Sequence, residues 1–256
     1  MSGNRKEFLF KALLLGDGAV GKTSIRERYM GKGFSGSYSK TIGADFASKR
    51  IQKEGNQITL QIFDLAGQDA YVTARKSFYK GGQAAFLVFD VQDPTSLHNL
   101  NTWIEDATEN SGGSVGTFII LGNKADLVDT RQVSNEMAIE FAQQLSAKTG
   151  HTFVFLETSA KTGLNIDVAF DIITNRLLRK FNIEVPLELP KGIDMISPSD
   201  SPGAAPVAQT NGSANGDSDE VKALKEEISD LNNRISTLED RFSKLAQIVR
   251  NLVEKS

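Results

Sequence analysis

The sequence predicts an α/β fold, a mostly parallel sheet with helices on both faces, followed by a linker and a C-terminal coiled coil. Three observations predict it. From residue 7 to 182, short apolar runs alternate with longer amphipathic stretches. Several runs are continuously apolar, as parallel strands buried on both faces should be. The last segment instead carries a strict seven-residue apolar register.

Residues 1–6 lead in as a flexible N-terminus. The first strand candidate, Phe8 to Leu15, ends at Gly16-Asp17-Gly18-Ala19-Val20-Gly21-Lys22-Thr23. That stretch fits the G-x-x-x-x-G-K-[ST] phosphate loop of P-loop NTPases. Its glycines let the backbone wrap round a polyphosphate, with N–H groups and a following helix N-terminus facing the anion. Lys22 would reach the β- and γ-phosphates, and the Thr23 hydroxyl would bind Mg²⁺, with Ser24 beside it. A helix follows from Thr23 to Tyr29. Ala44 to Lys53 alternates in polarity, and the turn signal Glu54-Gly55-Asn56 leads into Ile58 to Leu65, so this pair reads as an antiparallel hairpin on the sheet edge. Ala84 to Val91, Thr117 to Leu121 and Thr152 to Leu156 are further strands. Helices are predicted from Pro94 through Glu109, from Ser134 to Lys148 and from Asn165 to Phe181.

The prolines mark the next boundary. Pro94 stands alone in the first 185 residues, and the other five fall at 186, 190, 198, 202 and 206. Residues 183–219, rich in Pro, Gly, Ser, Ala, Asn and Asp, read as a disordered linker. Its early part, Val185 to Ile196, keeps enough apolar residues to pack back on the domain at 7–182. In residues 220–255, Val221, Ile228, Ile235, Phe242 and Val249 repeat at one heptad position, with Leu224, Leu231, Leu238, Leu245 and Leu252 three residues on. Mostly β-branched a residues with Leu at d favour a parallel homodimer. A trimer or an antiparallel pair stays open.

Composition narrows the partners. A net charge of −3 gives no reason to expect nucleic acid. With no cysteine there is no disulfide, thiolate metal site, cysteine nucleophile or thioether or thioester lipid anchor. Gly3 does not directly follow Met1, so no direct lipid anchor is expected at the N-terminus either. No signal-peptide core and no run of roughly 20 apolar residues is present, and a cytoplasmic protein is expected, open to membrane recruitment through a partner.

Four stretches near strand ends carry the chemistry, since an open α/β sheet binds its ligand there. In Asn123-Lys124-Ala125-Asp126, the Asp126 carboxylate can accept from the N1 and N2 hydrogens of guanine. Glu157-Thr158-Ser159-Ala160-Lys161 can offer a backbone N–H to guanine O6, while Lys124 and Lys161 lay their stems against the base. Asp64-Leu65-Ala66-Gly67-Gln68 puts a carboxylate near Mg²⁺, a Gly67 N–H near the γ-phosphate and the Gln68 side chain where water would attack. Thr41 would add oxygens to metal and γ-phosphate, and Phe34 would meet the base edge.

With these motifs in this order, residues 7–182 resemble a Ras-superfamily small GTPase, most of all the Rab family. Thr41-Ile42-Gly43-Ala44-Asp45-Phe46 and Phe78-Tyr79, with the strand ending at Asp90, add to the resemblance. It implies a six-stranded, mostly parallel sheet flanked by five helices, bound GTP/GDP and Mg²⁺, and a slow hydrolytic cycle. Gln68, Lys22, Thr41 and Gly67 would be the catalytic set. Thr23, Thr41 and Asp64 would hold the metal. Effectors, an exchange factor and a GTPase-activating protein would read two switch segments, about 33–46 and 65–80. The chain departs from the usual Trp-Asp-Thr-Ala-Gly-Gln-Glu of Rab proteins at Phe63, Leu65 and Asp69, and it has a heptad tail where they carry prenylated cysteines. Two functions follow: a hydrolysing switch in trafficking or signalling, or a weakly hydrolysing scaffold that acts through its coiled coil.

Overall fold

The computed structural model describes residues 5–34, 41–67, 72–186 (backbone alone at 72–74), 189–190 and 193–198. Strand β1 (Glu7–Leu15) runs through the interior of the sheet and leads to helix α1 (Lys22–Tyr29). Strands β2 (Ala44–Lys53) and β3 (Asn56–Leu65) form the expected antiparallel hairpin, in register from Lys53 opposite Asn56 to Ala44 opposite Leu65. Its two-residue turn has φ 46° at Glu54 and 72° at Gly55. Both values are left-handed, the type I′ geometry whose twist matches that of the flanking strands.

Helix α2 (Val72–Tyr79) leads to β4 (Ala84–Asp90), which is buried at every residue. Its side chains alternate between two cores. Phe86 and Val88 face α1 and the last helix, whereas Leu87 and Phe89 face the helices on the other side. The helix predicted from Pro94 opens on Asp93, whose carboxylate accepts from Thr95 N, and it is interrupted at Asn99. There the backbone tightens to a Thr102 N to Asn99 O bond, separating α3 (Pro94–His98) from α4 (Leu100–Asn110). The described residues therefore hold six α-helical segments where five were expected. Strand β5 (Phe118–Asn123), a short 3₁₀ turn at Val128–Thr130, α5 (Asn135–Thr149), β6 (Phe153–Glu157) and α6 (Ile166–Arg179) follow. Ser134 caps the start of α5 and Gly150, at φ 71°, ends it.

The sheet has seven strands, not six, in the order β2-β3-β1-β4-β5-β6-β7. The addition is β7 (Asp194–Ile196), antiparallel to β6, with Ile196 opposite Phe153 and Asp194 opposite Phe155. A six-stranded sheet would leave the N–H and C=O groups of β6 open on one edge, and β7 satisfies them. The chain reaches that edge because Arg179 donates to Val185 O at 2.9 and 3.3 Å, and Asn175 to Pro186 O at 3.1 Å. Val185 and Ile196 are buried in the two cores. The beginning of the expected linker is thus part of the sheet. The remainder of the linker and the heptads at 220–255 lie outside the described residues. No described helix is long and apolar enough to cross a membrane.

Candidate active site

The C-terminal ends of the parallel strands open on a cleft of about 530 Å³, a volume suited to a small-molecule ligand. Gly18, Ala19, Gly21, Lys22, Thr23 and Ser24 form one wall. Gly21 precedes α1 at φ 99°, and a Cβ there would lie 2.3 Å from Asn123 Nδ2, so only glycine fits. No described side chain caps the first turn of α1, which leaves its N–H groups for an anion. Lys22 Nζ donates to Gly16 O and Asp17 O, both at 2.6 Å. Burial pulls its pKa down to about 8, against the opposing pull of Asp64 and Asp17.

Three oxygen-bearing side chains meet beside it. Thr23 Oγ1 donates to Asp64 Oδ2 at 2.6 Å and lies 3.0 Å from Thr41 Oγ1, which is 3.5 Å from the same carboxylate oxygen. Asp64 is fully buried, and burial raises its pKa, while the Thr23 hydroxyl and Lys22 oppose the shift. Its other oxygen, Oδ1, has no hydrogen-bond partner among the described residues. A buried acceptor left so is costly. Carboxylate and hydroxyl oxygens around it are the donor set a hard divalent cation prefers. Gly67 closes this end of the cleft, and a Cβ on it would stand 2.3 Å from the Asp17 carbonyl carbon, so the close approach of two backbones requires glycine.

At the far end, Asp126 Oδ1 accepts from Ser159 Oγ at 2.6 Å, with Lys161 Nζ 3.7 Å from Oδ2. Lys124, at φ 67°, pairs with Asp90 at 2.5 Å. Asn123 lines the cleft, but its amide is engaged by the protein itself. Nδ2 donates to Val20 O at 2.8 Å, and Oδ1 accepts from Ala160 N at 3.2 Å and Thr158 Oγ1 at 3.3 Å. It ties the phosphate loop to the loop after β6. Ala160 and Lys161 reach the cleft, as does half-exposed Phe34.

The Ras family profile matches residues 11–179. The chain belongs to the Ras family. It is 38% identical over 207 residues to the Ras-related protein Rab7 of Drosophila melanogaster, covering 79% of this chain and 97% of that protein. It is 41% identical to the Ras-related protein Rab-2B of Dictyostelium discoideum, over 68% of this chain and 83% of that one. A Ypt/Rab-type GTPase Rab7 of Gibberella zeae is 36% identical, over 68% and 85% respectively. Proteins of the Ras family are GTPases that bind guanine nucleotides, so the chain is a GTP hydrolase by membership.

Of the expected site residues, Asp17 sends its side chain away from the cleft and Gln68 lies outside the described residues. The Asp17 carboxylate turns to α3 and α4, where Asn99 Nδ2 donates to it at 2.7 Å and Trp103 Nε1 at 2.8 Å. The Asp17 backbone carbonyl accepts from Lys22 Nζ. Gln68 lies outside the described residues, as do residues 35–40 of the first switch segment. Asn99, Trp103 and Arg75 were not picked out from the sequence. They gather only when α2 and α4 are brought together, and no local spacing announces that.

Proposed function

We propose that this Ras-family protein is a Rab-like molecular switch that binds GTP and GDP with Mg²⁺, hydrolyses GTP slowly, and engages effectors through its switch segments in trafficking or signalling. The convergence of Thr23, Thr41 and buried Asp64, whose second oxygen is unpartnered, supports it most directly. Bound Mg²⁺ would supply charge stabilisation to the phosphate oxygens. Lys22, held by two carbonyls, is poised to place its ammonium against the β- and γ-phosphates. The Gly67 N–H is close to the phosphate loop, where it can donate to the γ-phosphate. Gln68 would orient the attacking water. Asp126, braced by Ser159, would accept from guanine N1 and N2, a donor pair that adenine lacks.

No arginine lies in the first switch segment, which Arg26 and Arg28 of α1 precede and Arg50 of β2 follows. Intrinsic turnover is therefore expected on the order of 10⁻⁴ to 10⁻² s⁻¹, with a GTPase-activating protein accelerating it in trans and an exchange factor reloading it. Single-turnover hydrolysis by the full chain, with GTP and ATP compared, tests this. GTP should be cleaved at that rate and ATP far more slowly. Equal use of the two nucleotides, or no cleavage of either, overturns the reading. The five heptads favour a second reading, a weakly hydrolysing GTP-bound scaffold acting through coiled-coil homodimers. Sustained GTP occupancy with hydrolysis well below that range would select it.

A further inference from the structure

We propose that Arg75 is a positioning residue for GTP hydrolysis, clamping the Ala66–Gly67 turn onto the phosphate loop through Trp103 and Asp17. The proposal rests on the GTPase reading above and assigns it a part outside the cleft. Arg75 sits on α2, almost wholly buried. Its Nη1 donates to Ala66 O at 3.0 Å, and its guanidinium lies 4.1 Å from the centre of the Trp103 ring. The same Trp103, on α4, donates through Nε1 to the Asp17 carboxylate, which Asn99 holds from its other oxygen. Asp17 in turn carries the backbone on which Gly67 is packed. The contacts close a ring: phosphate loop, α4, α2, the turn after β3, and the phosphate loop again.

Each link is of a directional kind. Indole is the best of the aromatic faces for a cation, and a charged donor on a carbonyl is stronger than a neutral one. The Asp106 carboxylate, 3.9 Å from Arg75 Nη2, adds a third direction of hold. Ala66 and Gly67 belong to the second switch segment, and the Ala66 carbonyl shares one planar peptide with the Gly67 N–H, so fixing the one orients the other, which would meet the γ-phosphate. A misplacement of about 1 Å at such a group costs on the order of a hundredfold in rate. The clamp is expected closed with GTP, when Gly67 is seated on the phosphate loop, and open with GDP.

Trp103 is the chain's one tryptophan, so its emission reports the clamp directly. The full-length protein, as wild type, Arg75→Ala and Arg75→Lys, would be loaded with GDP or a non-hydrolysable GTP analogue. Emission, nucleotide affinity and single-turnover hydrolysis would then be measured. Wild type should change emission between the two nucleotides. Arg75→Ala should lose that difference and hydrolyse GTP about tenfold or more slowly, while its GDP affinity stays within about threefold. Arg75→Lys, which keeps a cation over the ring but not the fork, should recover part of both. A purely structural arginine would lower the melting temperature and leave the emission difference and the hydrolysis rate in place. Arg75→Ala hydrolysing within about twofold of wild type with its emission difference intact overturns the clamp. Should Arg75→Ala fail to fold, Asp17→Ala, which removes the acceptor of both Trp103 Nε1 and Asn99 Nδ2, decides by the same readouts, a wild-type rate again overturning it. A wild type that neither binds nor cleaves GTP defeats the GTPase reading itself, a result distinct from an active wild type matched by its Arg75 variant.

Discussion

At Lys22 a single side chain joins the fold to the chemistry. Its ammonium is buried between two carbonyls, and burial lowers its pKa to about 8. Nucleotide phosphates would raise it again, because an opposite charge favours the protonated form. The protonated form is the one that binds, so affinity should be full below pH 8 and fall as pH rises through it. Titration of a fluorescent guanine nucleotide between pH 7 and 9 should show this decline, and Lys22→Met should bind weakly with a flat profile. A flat profile in wild type would mean that Lys22 stays charged in the empty cleft. Lys22, Thr23, Asp64 and Asp126 could be read from the sequence because each belongs to a short motif whose spacing encodes its chemistry. Asn123 was legible as a site residue but not as the strut between two loops, since that depends on which carbonyl its amide meets. Arg75 and Trp103, 28 positions apart on different helices, left no such trace.

At the scale of elements, the continuous apolar runs and the alternating hairpin were legible because burial on two faces or on one dictates those patterns. Strand β7 was not. Asp194-Met195-Ile196 is too short for any alternation to register, and it sits among prolines and glycines that argue for a loop. What makes it a strand is the unpaired edge of β6 together with the pocket that accepts Ile196, both tertiary facts. Ile196→Asp places a charge in that pocket. It should destabilise the full chain by about 2 kcal/mol or more and lower its melting temperature by several degrees. Guanine nucleotide affinity measured well below the melting range should hold. An unchanged melting curve would show that β7 contributes nothing to the stability of the sheet.

At the scale of the whole molecule, the nucleotide cleft is built entirely from elements before residue 166, and the heptads begin more than fifty positions later. The proposed division of labour is that the first part hydrolyses GTP and the heptads assemble copies, giving a multivalent effector avidity without new contacts. Removing residues 217–256 should leave GTP affinity and intrinsic hydrolysis nearly unchanged and turn a dimer into a monomer. Light scattering on both forms at tens of micromolar checks this, and a monomeric full-length chain would defeat the homodimer. The seven-strand order sets the hairpin β2–β3 at one border of the sheet and β7 at the other. At about 4.8 Å between neighbouring strands, the two borders stand about 29 Å apart. A protein bound along the hairpin therefore meets a different border of the sheet from the one that β7 closes.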